Sequence, residues 1–415
     1  MTLCGLDFGT SNSTLGIARD GHPQLIDLEG ASKTLPSAIF FDFASNGVQV
    51  GRAAIESYVE GMEGRLMRSV KSVLGTELID QDTTLKKRRI GFREVLATLL
   101  GQIKRRAEQA SGRALDSVVH GRPVHFVDGD EEGDAKAQAD LEQIAKSVGF
   151  KHVSFQYEPI AAALDYERQV NAEQVALIAD IGGGTSDVSV IRLGPGRSRL
   201  ERAQDILSND GLRLGGTDFD AQLSLKGMMP LFGYQSPMLR DGLLAPNHYF
   251  TELATWSKIN FLYTPQAKSA LRLLRRDSAA PDLIDRLIHL VDEQLGHWLA
   301  MRIEDAKIKL SAESQVEVKL NRVQRGLIAT ITRTIFDEAT QPMAQKIADL
   351  CRRCVADAGL KPDDIDAVFL TGGTTLLPHV RKAILDVTPA ARVVDGDKFG
   401  SVGTGLTLEA MERYG

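Results

Sequence analysis

Two distant segments of the chain repeat one short plan, and that repeat constrains the fold more than any other feature. Leu3–Phe8 alternates small and apolar residues and reads as a strand. Gly9–Asn12 reads as a turn and Ser13–Arg19 as the return strand, closed by the hairpin dipeptide Asp20-Gly21. Val175–Asp180, Ile181–Thr185 and Asp187–Leu193 read the same way. Aligned without a gap, Asp7-Phe8-Gly9 falls on Asp180-Ile181-Gly182, Thr14 on Asp187 and Ile17 on Val190. Such a repeat implies two lobes of one ancestry. The length of 415 residues agrees, being too great for a single core.

Between and after the hairpins the pattern mixes helices and strands. Helices are expected over Phe92–Gly112 and Ala135–Val148, the second stopped by Gly149, with a strand region over Ser117–Phe126 between them. Asp218–Phe232 starts helical, Gly233–Pro246 reads as a loop, and Tyr249–Leu320 as largely helical. A helix over Gln341–Ala358 ends at Gly359. Then follow a strand over Ile365–Leu370, a turn over Thr371-Gly372-Gly373, and a helix over Leu377–Leu385 with Pro378 near its start. This alternation implies α/β lobes with mixed sheets.

Several function classes lose ground on composition. A net charge of −6 without a long basic block argues against nucleic acid or an anionic membrane as partner. No apolar run reaches ~18 residues, so no transmembrane helix is expected. No positive n-region precedes the first strand, so no signal peptide is expected. Three cysteines make no disulfide framework and fit a reducing cytosol. Cys351 and Cys354 read as two thiols on one helix, since no second pair completes a zinc set. His120 and His125, five apart in a strand region, should face opposite ways and hold no metal. Lys104-Arg105-Arg106 and the cluster Arg272, Arg275 and Arg276 read as solvated helix surface.

The chemistry concentrates at the turns. Each hairpin ends its first strand in an aspartate followed by Gly and hydroxyl residues: D-F-G-T-S-N-S and D-I-G-G-G-T-S-D. Glycines let backbone N–H groups approach phosphate oxygens, and Thr and Ser add donors. An aspartate beside such a nest needs a cation between itself and the phosphate. Hydrated Mg²⁺ suits that place. Gly372-Gly373 lies between a strand and a helix, at the kind of sheet edge where α/β folds bind ligands. The P-loop and the dinucleotide fingerprint are both absent from the sequence.

Four motifs in this order, L-D-F-G-T-S-N-S, Y-E-P-I-A-A-A-L, A-D-I-G-G-G-T-S-D-V-S and L-T-G-G-T-T-L-L-P, make the chain resemble the nucleotide-binding domain of heat-shock-70 (DnaK-type) chaperones, of the actin and sugar-kinase superfamily. The chain resembles in particular a short YegD-like branch, and the family resemblance spans Asp7 to about Leu406. The resemblance implies an α/β fold of two duplicated actin-like (ribonuclease H-like) lobes around a nucleotide cleft, each with an inserted subdomain. It places the lobe I core at 1–38, 115–171 and 395–415 with an insertion at 39–114. The lobe II core falls at 172–217 and 343–394 with an insertion at 218–342. The implied cofactors are ATP or ADP and Mg²⁺. The implied partner is a protein client or co-chaperone, with no nucleic acid and no membrane.

Residue roles follow from the same resemblance. Asp7 and Asp180 would order the waters on Mg²⁺. Gly9, Thr10, Ser11 and Asn12 would form one phosphate loop, and Gly182, Gly183, Gly184 and Thr185 a second. Gly215 and Gly216 would form a further loop. Lys71 would reach the γ-phosphate, while Glu158 and Asp187, with Thr185, would serve the attacking water. Glu304, Lys307 and Ser311, spaced to share one helix face, would contact adenosine, and Gly372 and Gly373 would pass close to the nucleoside.

The sequence also departs from the family pattern. Ile308 and Leu376 stand where arginines usually sandwich the base. Pro123 resembles the proline of an interdomain switch whose partner arginine is replaced near Gln138. The chain stops soon after Gly403, without the acidic-apolar linker and β-rich peptide-binding domain of longer relatives. Three functional classes stay open at this point: an ATP-hydrolysing chaperone-like switch, a nucleotide-loaded scaffold with little hydrolysis, and a small-molecule kinase. An actin-like filament would need self-complementary surfaces that sequence does not display.

Overall fold

The computed structural model describes residues 2–86, 88–195 and 202–415. Its frame is a pair of five-strand paths. In the first, β1 (Leu3–Phe8) and β2 (Asn12–Arg19) form an antiparallel hairpin, and β3 (His22–Leu25) extends it through the Asp20-Gly21 turn. Both turn residues have positive φ, 51° and 76°, as a tight hairpin of this hand requires. On the other edge of β1, β4 (Ser117–Arg122) and β5 (His152–Tyr157) add in parallel, giving the order β5-β4-β1-β2-β3. A short segment, Leu35–Pro36, also pairs with β2.

The second sheet uses β6 (Gln174–Ile181), β7 (Ser186–Leu193), β8 (Ile206–Leu212), β9 (Ala367–Thr371) and β10 (Arg392–Asp395). The strands β6, β7 and β8 are antiparallel, and β9 and β10 add in parallel beside β6, giving the order β8-β7-β6-β9-β10. Strand for strand, this is the order and pairing sense of the first sheet. The parallel strands need crossover connections, and helices supply them. Helix Glu131–Ser147 links β4 to β5, and helix Pro378–Leu385 lies between β9 and β10.

Apolar residues bury these sheets. Phe8, Leu15, Leu96, Leu99, Ile103, Leu141 and Ile144 belong to one buried cluster. Ile160, Tyr166, Ile178, Leu193, Phe369 and Leu406 belong to another, where the Tyr166 and Phe369 rings stack at 4.9 Å. Helix Ser401–Tyr414 packs on helix Glu158–Glu167 at Gly405, where any Cβ would overlap the Ala161 carbonyl. That close approach carries helix and backbone against each other without side chains between them.

The chain forms two compact units: Met1–Gly216 with Gln345–Thr375 and Val380–Gly415, and Thr217–Ala344 with Leu376–His379. Both sheets belong to the first. The second, taken by itself, holds helices Asn247–Ala254, Pro265–Asp277, Pro281–Asp292 and Gly296–Leu310 and a hairpin of Gln315–Lys319 with Ile328–Thr332. Among the described residues no helix is long and apolar enough to cross a membrane.

Four local expectations change. The segment to Leu320 is not helical throughout: Gln315–Lys319 is a strand that buries only Val316 and Val318, a period of two. Helix Arg333–Asp357 begins before the expected Gln341 and carries Pro342 in its interior. The strand expected to reach Phe126 stops at Arg122, because Pro123 has no N–H to continue the ladder. His125 therefore lies beyond β4, with Nδ1 3.0 Å from Asp134 Oδ2, while His120 is buried within it. Nor is the Lys104–Arg106 face simply solvated. Lys104 is buried and bonded to Glu108 at 2.5 Å, and Arg106 donates to the Leu28 and Val50 carbonyls.

Candidate functional site

The acidic strand ends occupy matching rungs. Asp7 pairs with Thr14 across β1 and β2, and Asp180 pairs with Asp187 across β6 and β7. The two intervening turns meet. A Cβ on Gly183 would overlap the Ser11 hydroxyl, and one on Gly184 would stand 2.6 Å from Thr10 Oγ1. Gly215 closes on the same place, since its Cβ would lie 2.5 Å from the Gly184 nitrogen. Gly216 N–H donates to the Gly182 carbonyl at 3.0 Å. Gly372, at φ 79°, has Asp180 Oδ1 within 2.8 Å of its Cβ position. Glycine at these turns is therefore a steric requirement, because neighbouring backbone and hydroxyls already fill the space.

Hydroxyl side chains brace the turns from outside. Ser37 Oγ donates to the Gly9 carbonyl at 2.7 Å and lies 3.0 Å from Ser13 Oγ. Thr374 Oγ1 donates to the Gly182 carbonyl at 2.9 Å. Sequence reasoning missed Ser37 and Thr374 as supports. Their only signal was position, in T-L-P-S and in the T-G-G-T-T run.

Acids crowd this corner. Asp180, Asp187 and Glu158 are 7%, 1% and 8% exposed, and Lys71 is 7% exposed. Lys71 lies in a single 3₁₀ turn, Val70–Val73, and its Nζ donates to Glu158 Oε1 at 2.7 Å. Glu158 opens its helix, with Pro159 in the first turn. Asp187 Oδ1 accepts the Val124 N–H at 2.6 Å.

The electrostatics follow from that crowding. Burial and then the charge of Glu158 push Asp7 up to about 7, against the pull of Lys71. Burial, Glu158, Asp187 and Asp7 together raise Asp180 well above the carboxylate range. Burial and Glu158 raise Asp187 to about 7, although the Thr185 hydroxyl and the Val124 amide act the other way. Burial first, and then the charge of neighbouring carboxylates, raises Asp7, Asp180 and Asp187 against the pull of the buried Lys71 ammonium.

The structure brings together Asp7, Thr10, Ser11, Lys71, Glu158, Gly183, Gly184, Thr185, Asp187, Gly215 and Gly372 with Asp180, all in the first unit. Gly9, Asn12, Gly182, Gly216 and Gly373 belong to the same turns. Glu304, Lys307 and Ser311 belong to the second unit. There Lys307 Nζ is 2.9 Å from Asp220 Oδ2, and Ser311 Oγ donates to the Ile308 carbonyl at 2.6 Å beyond the helix end. Ile308 and Leu376 are exposed. Arg122 occupies the neighbourhood of Pro123, donating to Gln138 Oε1 at 2.6 Å and to the Pro123 carbonyl at 2.9 Å. Cys351 and Cys354 are buried, and burial pushes their thiols up to about 12 and about 11, so neither is a reactive thiolate.

A family model described as Hsp70 protein matches residues 3–226 and 288–410 of the chain. Its two segments include every turn and acid just described. Proteins of that family carry an ATP-binding nucleotide-binding domain and interact with protein clients. The match covers well over half of the sequence, and on it the chain belongs to the Hsp70 family.

Proposed function

We propose that this chain binds Mg²⁺–ATP at the acid-and-glycine corner and hydrolyses it to ADP and phosphate, as a nucleotide-driven chaperone-like switch. The observation that carries the reading is the cluster of Asp7, Asp180, Asp187 and Glu158 around the Lys71 ammonium, set against four glycine turns. The residues fit Mg²⁺–ATP. Buried aspartates whose carboxyl groups are raised to about 7 suit a divalent cation. Gly9, Gly183, Gly184, Gly215 and Gly372, where a Cβ would clash, keep the turns tight, with backbone N–H groups suited to phosphate oxygens.

Asp7 and Asp180 would hold Mg²⁺ through its waters. When bound, the ion supplies positive charge to the phosphate oxygens. Gly9–Asn12, Gly182–Thr185 and Gly215-Gly216 would bind the phosphate chain. Lys71 would bind the γ-phosphoryl oxygens, giving up part of its bond to Glu158. Glu158 and Asp187 would then orient the attacking water, with Asp187 kept in place by the Val124 amide. The contribution is positioning and charge rather than covalent chemistry. Assignment of Glu304, Lys307, Ser311, Gly372 and Gly373 to the nucleoside rests on the resemblance. We also infer that the matching strand order of the two sheets reflects duplicated actin-like lobes with insertions at 39–114 and 218–342, and that the chain falls in the short YegD-like branch.

Phosphate release measured for the parent, Lys71→Ala and Asp187→Ala tests the proposal, with nucleotide binding followed by calorimetry. We expect release in the parent and its loss in both variants with ADP still bound. Nucleotide binding without release in the parent would favour a nucleotide-loaded scaffold. No binding at millimolar nucleotide would end the proposal.

A further inference from the structure

Phe399 is 47% exposed, in a loop between β10 and helix Ser401–Tyr414. Its ring borders the Gly372-Gly373 turn: a Cβ built on Gly373 would stand 3.5 Å from ring Cε1 and 3.6 Å from Cζ. These are ordinary van der Waals separations, so the ring flanks the turn and keeps an open face.

The backbone that presents the ring is pinned. Gly396 N–H donates to the Leu370 carbonyl at 3.0 Å, anchoring the loop to β9. Phe399 N–H donates to Asp397 Oδ1 at 3.2 Å, and Gly400 and Ser401 N–H groups donate to the Asp397 carbonyl at 3.2 and 3.0 Å. Lys398 Nζ lies 4.0 Å from Asp395 Oδ1. The loop thus holds an aromatic ring at the C-terminal edge of two parallel strands, next to a glycine turn that reaches Asp180. That edge is where α/β sheets bind ligands.

We propose that Phe399 is the stacking platform for the base of the bound nucleotide, and so the residue that makes the site prefer a nucleotide over bare polyphosphate. This rests on the nucleotide reading above. A flat π-face on a fixed backbone takes up a base with little ordering cost, and such stacking contributes to binding of every base that presents a ring. Phosphate contacts at the other turns do not involve the ring.

Calorimetric titration of the full chain with Mg²⁺–ATP and with Mg²⁺–tripolyphosphate tests this, using the parent, Phe399→Ala and Phe399→Trp. The expected result for Phe399→Ala is ~10-fold weaker ATP binding with tripolyphosphate affinity unchanged. Phe399→Trp should keep ATP affinity, and its added emission should be quenched by ATP but not by tripolyphosphate. Unchanged ATP affinity in Phe399→Ala overturns the proposal. So does an equal loss of both ligands, which would mark a structural or protein-docking residue. A parent that binds neither ligand would defeat the nucleotide reading itself, a result distinct from failure at Phe399 alone.

Discussion

Lys71 Nζ donates to Glu158 Oε1 at 2.7 Å, and both members of this ion pair are buried within the acid cluster. The lysine comes from a single turn far from the hairpins in sequence, yet its charge opposes the raised protonation of Asp7, Asp180 and Asp187.

Removal of that charge should therefore be felt twice. Lys71→Ala is expected to lower the melting temperature of the metal-free protein, because breaking a buried pair costs ~3–5 kcal/mol when one partner is left uncompensated. It should also cut phosphate release ~100-fold or more. Thermal melts and a turnover assay check the two effects, and a variant with full turnover would remove Lys71 from the mechanism.

Stability should depend on pH in a defined direction. Asp7 and Asp187 have folded-state values raised to about 7, so between the ordinary carboxylate range and pH 7 the folded chain binds more protons than the unfolded one. Their stabilising contribution is fully present below pH ~4 and is lost as pH rises through ~7. Urea unfolding of the metal-free protein should give stability lower by at least ~1 kcal/mol at pH 8 than at pH 5.5 from these groups. Added Mg²⁺ with nucleotide should recover the difference at pH 8. Equal denaturation midpoints at the two pH values, with equal slopes, would count against the crowded-acid picture.

Glycine substitutions should separate turn geometry from turn composition. Gly215→Ala places a methyl 2.5 Å from the Gly184 nitrogen, so backbone must move, at a cost of ~1–3 kcal/mol and with loss of nucleotide binding. Gly182→Ala meets nothing closer than the Thr185 carbonyl at 3.6 Å and should fold like the parent. Chemical denaturation of both, alongside nucleotide titration, provides the comparison.

Asp187→Asn should uncouple binding from turnover. The amide oxygen can still accept the Val124 N–H, now at 2.6 Å, so the fold and nucleotide affinity should persist. Loss of the carboxylate should slow hydrolysis by ~100-fold, the scale of a positioned acid–base group. Single-turnover phosphate release, with binding followed separately, distinguishes this from a general weakening of the site.

Much of this site was visible in the residue order, because its chemistry is local. The gapless match of Asp7 to Asp180 and of Thr14 to Asp187 reappears as two equivalent ladder rungs, since hairpin register depends on turn length and strand period alone. The helix containing Pro342 and the strand at Gln315 were misread for the converse reason: a short window does not contain the packing that overrides a propensity.

By itself the amino-acid order determined the hairpins, their acid-and-glycine turns, and the alternation that makes the domain α/β, all of them effects of neighbours along the backbone. Only the tertiary structure decided that Lys71 is buried against Glu158, that Ser11 and Thr10 press on Gly183 and Gly184, that the Val124 amide holds Asp187, and that Phe399 lies beside Gly373. Burial and proximity between distant segments arise when the chain closes on itself, and the raised protonation of the aspartates is a consequence of that closure, not of their composition.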